Sequence, residues 1–415
     1  MNASPPAIDS VRRTIVTSYR PVEKNCTRGD RPHSAESEWA PGRVSALAYE
    51  GDRMVRFGFQ IGQVCRPDED HVRLYASMLD DCAVAVEAGY DSVWMVEHHF
   101  TDYFPTPSPL IFLSHVAAKF PDLSLGTCVL VLPWYQPLRL AEEIAMLSNL
   151  TRADLHIGVG RGTAKIEYDA FDVPMEESRV RFRDGVQIIR DAFEGDAFQF
   201  EGSSFHMRRR VQMRPPVITG KVHLYGAIGS PQSAEIMGKL GLPPLSVGNF
   251  PPTLQKEILD TWAANLGPEH RREDFLKPIV IGCEIAASDD EARERARRVV
   301  PDFFELQVRH YEVDQDHWKH IEGYQQFSKF FGNLKRLTDP RNLDRWMDFQ
   351  LFGTPDTIER KIRHYMDLGF DYFVLSAASP SMSQDARHDM LRRFMKDVAP
   401  RFRGEVAPRA TARGN

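Results

Sequence analysis

The chain has 415 residues, 42% of them hydrophobic and 27% charged, which is the composition of an ordinary globular protein. Its formal net charge of −6 at pH 7 offers no electrostatic footprint for a nucleic acid or an anionic membrane surface. No apolar run approaches the roughly 20 residues that span a bilayer, and five cysteines without a Cys-x-x-Cys pair read as reduced thiols of a cytoplasmic protein.

Residues 1–52 carry Pro5, Pro6, Pro21, Pro32 and Pro41 in a polar stretch without a sustained period, which predicts a disordered N-terminal tail. Residues 1–20 lack the apolar core of a signal peptide. Met54 stands directly before the first convincing strand, so an over-extended reading frame and a regulatory tail are both readings of what precedes it. Residues 53–402 form the expected domain, and 403–415 read as a loose C-terminal tail. Within the domain, strand candidates fall at 57–61, 91–96, 123–131, 154–159, 222–226, 244–248, 278–286 and 371–376.

Helical periods lie between them. Tyr75, Met78, Leu79, Cys82, Ala83 and Val86 recur at spacings of three and four before Gly89. The same period returns in Phe182, Val186, Ile189 and Phe193, and in Ile358, Ile362 and Tyr365 behind the start signal Thr354-Pro355-Asp356. Eight strands, each followed by a helix, predict an α/β fold of the (β/α)8 TIM-barrel type, with a doubly wound open sheet as the alternative. Residues 301–350, rich in aromatics and charges, break the repeat. They are read as an insertion before the eighth strand, a lid or substrate wall.

Five motifs bear on the chemistry. The strand through Val93 and Val96 ends in Glu97, His98 and His99. Such groups are costly to desolvate, and barrels bind ligands at the C-terminal ends of their strands. They read as a polar strand cap, as metal ligands, or as one histidine acting as base or donor with Glu97 orienting it or touching a cofactor. Adjacent histidines on an extended strand point to opposite faces, which weakens the metal reading. The run Gly158-Val-Gly160-Arg161-Gly162-Thr163 lets backbone approach a ligand and offers a guanidinium to an anion. It matches neither the dinucleotide fingerprint nor a Walker loop, and a ligand-free turn is the bland alternative.

In Gly226-Ala-Ile-Gly229-Ser230-Pro231, Ser230 is an expected N-cap and Pro231 an expected first helical residue. The free backbone amides of this helix start would face the barrel mouth, either as a phosphate seat or as an ordinary capped helix start. Arg179, behind Glu176 and Glu177, reads by itself as a solvated or paired surface residue. His317-x-x-His320 reads as an incidental surface pair rather than a metal site.

Taken together, these residues resemble the bacterial luciferase-like family of flavin-dependent monooxygenases. The likeness rests on Trp94-Met-Val-Glu97-His98-His99-Phe100-Thr101, Gly126 to Pro133 with Pro137-x-Arg139, and Gly158-x-Gly160-Arg161-Gly162. It continues through Phe171, Ser178-Arg179, Ser230-Pro231, Gly238 to Pro243 and Gly353-Thr354-Pro355, and covers about residues 54–400.

The resemblance implies a (β/α)8 barrel that takes reduced FMN from a separate reductase and, with O2, forms a C4a-hydroperoxyflavin that oxygenates a small or medium organic substrate. It implies His98 as the catalytic histidine, with Glu97, Gly160, Thr163 and Gly226 around the cofactor. Arg161 and Arg179 would hold its phosphate, Gly229 and Ser230 would add phosphate contacts, and Cys128-Val129 would form a non-prolyl cis peptide against the flavin ring. A homodimer is implied as well. Gly160 stands where luciferase has a reactive cysteine and Ile228 where it has an acidic residue, which counts against light emission. The competing expectations are a deazaflavin-dependent hydride-transfer enzyme on the same barrel, a metal-dependent barrel hydrolase, and a non-catalytic flavin-binding protein.

Overall fold

The structure, a computed structural model, describes residues 54–65, 68–322 and 324–404. The expected N-terminal tail and residues 405–415 of the expected C-terminal tail lie outside these residues. Along the chain run β1 (Arg56–Ile61), α1 (His71–Ala88), β2 (Ser92–Met95), α2 (Pro109–Lys119), β3 (Ser124–Val131), α3 (Pro137–Leu150) and β4 (Leu155–Gly160). Next come α4 (Lys165–Ala170), α5 (Ser178–Phe193), β5 (Val222–Ala227), α6 (Pro231–Lys239), β6 (Pro244–Val247), α7 (Pro252–Ala264) and β7 (Pro278–Ile285). The chain continues with α8 (Asp289–His310), α9 (Gln325–Arg336), α10 (Asp344–Met347), β8 (Leu351–Gly353), α11 (Pro355–Leu368), β9 (Tyr372–Ser376) and α12 (Gln384–Asp397). Among the described residues no helix is long and apolar enough to cross a membrane.

Strands β1 to β7 pair in sequence order, all parallel, and β9 pairs with both β7 and β1, closing the eight-stranded (β/α)8 barrel. Each expected strand is present, with both ends within one residue of its expected position. A ninth strand joins them that the sequence pattern does not predict. Pairing of β7 with β9 ends at Gly282, and β7 then runs on to Ile285 beside β8, outside the ring. Residues 301–310 complete the long helix α8, so the expected boundary at 301 falls inside a helix that contains Pro301.

Local signals explain the crossovers. Asp70 caps α1 by accepting from the Val72 amide, and Gly89 ends that helix at φ +88°, a left-handed conformation that glycine adopts freely. Thr354 and Gly369 do the same for α11. Between strands and helices lies one apolar core built by the stripes Leu74/Met78/Cys82 and Phe182/Val186/Ile189.

Inside the ring, the Trp94 indole stacks on His156 at 5.4 Å and meets Tyr372 edge-on at 5.5 Å. Gly126 on the next strand makes room for it: a Cβ there would sit 2.3 Å from Trp94 Cδ2. Gly126→Ala is therefore expected to cost about 1–3 kcal/mol by overpacking. Urea unfolding measures this, and Trp94→Phe in the same chain should recover part of the loss.

Candidate active site

The end of β2 separates its polar residues by alternation. Glu97 is buried, and Oε2 accepts the Val131 amide at 2.9 Å. Its Oε1 accepts Trp134 Nε1 at 2.9 Å and lies 3.1 Å from His99 Nε2. That carboxylate ties the β2 loop to the end of β3. His98 turns the other way, its Nδ1 3.3 Å from Glu167 Oε1. Glu97, His98 and His99 thus do not converge on one point.

Two groups from distant sequence complete the surroundings of His98. Glu167 of α4 accepts the His99 amide at 2.8 Å, and His310, the last residue of α8, brings Nε2 to 3.5 Å from the same oxygen. Ring centroids of His310 and Tyr103 lie 4.7 and 4.8 Å from that of His98. Among the described residues, His98, Glu167 and His310 are the group whose ligand atoms fall within 4.8 Å of one another. Neither Glu167 nor His310 stands in a sequence motif that marks it as a site residue.

Burial dominates the electrostatics. It pushes the imidazoles of His98 and His310 down from 6.5 to about 3, and the neighbouring carboxylates Glu97 and Glu167 only partly oppose it. Burial likewise pushes Glu167 up, against the pull of His310. The sign for stability follows. Between about pH 3 and 6.5 the unfolded chain protonates these two imidazoles and the native chain does not. Their contribution is therefore complete above pH 6.5 and is lost as pH falls. With two protons the slope approaches about 2.7 kcal/mol per pH unit, and Glu167, shifted upward, works in the opposite sense. Urea midpoints are expected to fall steeply from pH 6.5 to 5, and less steeply in His310→Gln.

The glycine-rich turn after β4 is pinned from outside the barrel. Tyr168 donates to the Arg161 carbonyl, Tyr324 to the Gly162 carbonyl at 3.1 Å, and Trp318 Nε1 to the Thr163 carbonyl at 3.0 Å. Trp318 and Tyr324 both belong to the stretch 301–350. The Arg161 guanidinium lies over the Tyr324 ring, 4.9 Å from its centroid, and its Nη1 is buried without a hydrogen-bond partner. A buried cationic donor with no acceptor is costly, so this end of the cavity suits an anionic group. The Cys128–Val129 peptide bond is cis. Val129 occupies the space beside Gly160, where a Cβ would lie 2.6 Å from Val129 Cγ2.

The third motif is folded differently from a bare amide nest. Ser230 caps α6, and Ser233 Oγ accepts the amides of both Gly229 and Ser230 at 3.0 Å. Those two donors are engaged within the chain. Gly226 precedes this turn on β5 and leaves room for Met237. Arg179 is exposed in the first turn of α5 and does not line the cavity. The pair at 317 and 320 lies in a 3-10 turn, with His320 exposed.

A cavity of about 370 Å³ opens at the C-terminal ends of the strands. His98, Cys128, Val129, Gly160 to Thr163 and Gly229 line one part of it; Phe303, Gln307, Tyr311, Phe330, Phe331 and Trp346 line another. A flavin fits these residues: Val129, Ile228 and Leu245 give an apolar lining for its ring, and Arg161, with one nitrogen lacking a partner, gives a cation for its phosphate.

Comparison with known proteins places this chain in a family. The model for luciferase-like monooxygenases matches residues 57–372. A Sinorhizobium fredii protein named y4vJ is 33% identical over 141 residues, 34% of this chain and 38% of that protein. An alkanal monooxygenase alpha chain from Aliivibrio fischeri is 22% identical over 82% of this chain and 98% of its own length. The oxygenase component of a flavin-dependent trigonelline monooxygenase from Acinetobacter baylyi is 26% identical over 43% of this chain and 51% of its own.

Among solved structures, the monooxygenase RslO1 of Streptomyces bottropensis superposes with a TM-score of 0.69 at 24% identity, covering 84% of this chain and 99% of its own. The oxygenating constituent of 3,6-diketocamphane monooxygenase from Pseudomonas putida, solved with FMN, gives 0.65 at 16% identity over 84% and 99%. An F420-dependent secondary alcohol dehydrogenase gives 0.62 at 16% over 83% and 98%. These structural likenesses establish the fold. With the family model spanning most of the barrel, the chain belongs to the luciferase-like monooxygenase family.

Proposed function

We propose that the chain is the oxygenase component of a two-component flavin monooxygenase, which takes reduced FMN from a separate reductase and oxygenates a small or medium organic molecule. The observation that carries this reading is the presence, in one cavity, of Arg161, whose Nη1 has no hydrogen-bond partner, and of His98, an imidazole that its surroundings keep neutral. Reduced flavin, when bound, supplies the electrons for oxygen activation. Arg161 would bind its phosphate, while Cys128, Val129, Gly160 and Thr163 would border its ring and side chain. Gly226, Gly229 and Ser230 would shape the α6 end of the seat, and Arg179, exposed on α5 outside the cavity, would reach the phosphate only after a rearrangement. Glu97, whose oxygens are already engaged, would position the strand end rather than touch the ring.

Phe303, Phe331 and Trp346, all from the 301–350 segment, would exclude water from the substrate side. His98 would hold or move a proton at the reacting oxygen. A homodimer belongs to the same proposal. The second reading, deazaflavin-dependent hydride transfer, is favoured by the F420-dependent structural neighbour. Anaerobic titration with reduced FMN and with a reduced deazaflavin, followed by admission of oxygen, separates the two. The expected result is preference for FMN and hydrogen peroxide release much slower than from free reduced FMN. Preference for the deazaflavin, with no change in oxygen reactivity, would sink the monooxygenase reading.

A further inference from the structure

Behind His98 stand two buried groups with no assigned role, Glu167 and His310, 1% and 0% exposed. One oxygen, Glu167 Oε1, has three neighbours: the His99 amide at 2.8 Å, His98 Nδ1 at 3.3 Å and His310 Nε2 at 3.5 Å. On the far side of the His310 ring, Thr101 Oγ1 lies 2.7 Å from Nδ1 and also receives the Tyr103 amide at 3.4 Å.

A neutral imidazole carries a single ring proton. Were that proton on Nδ1 of His310, the Nε2 lone pair would face a carboxylate oxygen. With the proton on Nε2, its positive end lies on the Glu167 side, 3.5 Å from Oε1 and short of a hydrogen bond, and the Thr101 hydroxyl donates to Nδ1. The same reasoning puts the His98 proton on Nδ1, toward Glu167.

We propose that His310, acting through Glu167, is a positioning residue that fixes His98 in its Nδ1–H tautomer, leaving Nε2 unprotonated on the side away from Glu167. Burial keeps both imidazoles neutral, so the position of the proton, rather than the charge, is what the surroundings control. Burial also pushes Glu167 up, and on the His310 side only the dipole of a neutral Nε2–H edge, 3.5 Å away, opposes it. The other groups facing Glu167 are His98, His99 and Tyr103 from the segment after β2 and Tyr311 from the end of α8.

Without His310, Glu167 gains a proton more readily. A protonated carboxyl donates to His98 Nδ1 and drives the imidazole proton to Nε2. His310 closes the helix whose Phe303 and Gln307 line the cavity, so the docking of α8 and the tautomer of His98 are one linked state.

The test is long-range 1H–15N correlation on the full chain labelled with 15N-histidine, with His98→Gln identifying the His98 signals. At pH 7, His98 is expected as the Nδ1–H tautomer in the wild type and as Nε2–H in His310→Ala. His310→Gln, which can present an amide N–H to Glu167, should restore the first state. Thr101→Val, a milder change, should shift the same signals partway.

An Nε2–H tautomer in the wild type, or no change in any variant that folds, would overturn the proposal. So would Zn2+ titration that moves the 15N resonances of His98 and His310 together to metal-bound positions, since the trio would then be a metal site. The tautomer stands or falls without any flavin. Only its consequence for turnover, about a tenfold or greater loss of kcat at unchanged KM in His310→Ala, rests on the proposed function.

Discussion

His98→Ala is expected to slow substrate oxygenation by about 10²–10⁴-fold, the range typical for a positioned acid–base group, while FMN still binds. The imidazole lines the cavity, sits against Tyr103 and His310, and is held by Glu167. It is only partly exposed, at the wall of the cavity. Oxygen consumption without matching product should rise in the variant, because electrons leave the flavin with no partner to direct them to substrate. Coupling of oxygen uptake to product, measured beside FMN affinity, gives the answer. A variant that binds FMN and keeps full coupling would leave His98 a packing residue and favour a non-catalytic or differently organised site.

Arg161→Ala should act on binding and not on chemistry. A charge-assisted hydrogen bond to phosphate contributes about 1.5–3 kcal/mol, so FMN should bind roughly 10- to 150-fold more weakly. Riboflavin, which lacks the phosphate, should bind both proteins alike. The flavin-free variant should be at least as stable as the wild type, because Nη1 is a buried donor with nothing to donate to. Calorimetry with both flavins and thermal unfolding of the flavin-free chains check all three statements. Equal losses for FMN and riboflavin would show that Arg161 supports the loop through Tyr324 rather than holding a phosphate.

The barrel was legible because its signal is repetitive. Apolar runs such as 278–286 and 371–376 are long enough to show a period, and glycines 89 and 369 mark helix ends where the backbone turns left-handed. Strand β8 is three residues long and pairs only with the tip of β7, so it carries no period to detect.

The site was partly legible. His98 and Arg161 stand in short motifs at strand ends, where polar residues are expensive. Glu167 lies in a six-residue helix of mixed polarity, between Ile166 and Tyr168, and resembles any surface acid. His310 ends a charged helix, and nothing within ten residues hints that it meets a strand end over two hundred positions earlier. Only the closed ring makes them neighbours. The amides at 229 and 230 illustrate the converse: the Ser-Pro signal marks a helix start, but not that Ser233 would occupy both donors.

Trp318 and Tyr324 grip the carbonyls of Thr163 and Gly162, on the turn that presents Arg161. Thermodynamic reciprocity attaches to this arrangement. Whatever free energy those two bonds lend to an anion at Arg161, the anion must return in equal measure to the ordering of the segment that carries them. Loading the cofactor and building the far wall of the substrate chamber would then be two readings of a single equilibrium. Protease susceptibility between 311 and 337 should fall along the same titration curve that reports the flavin.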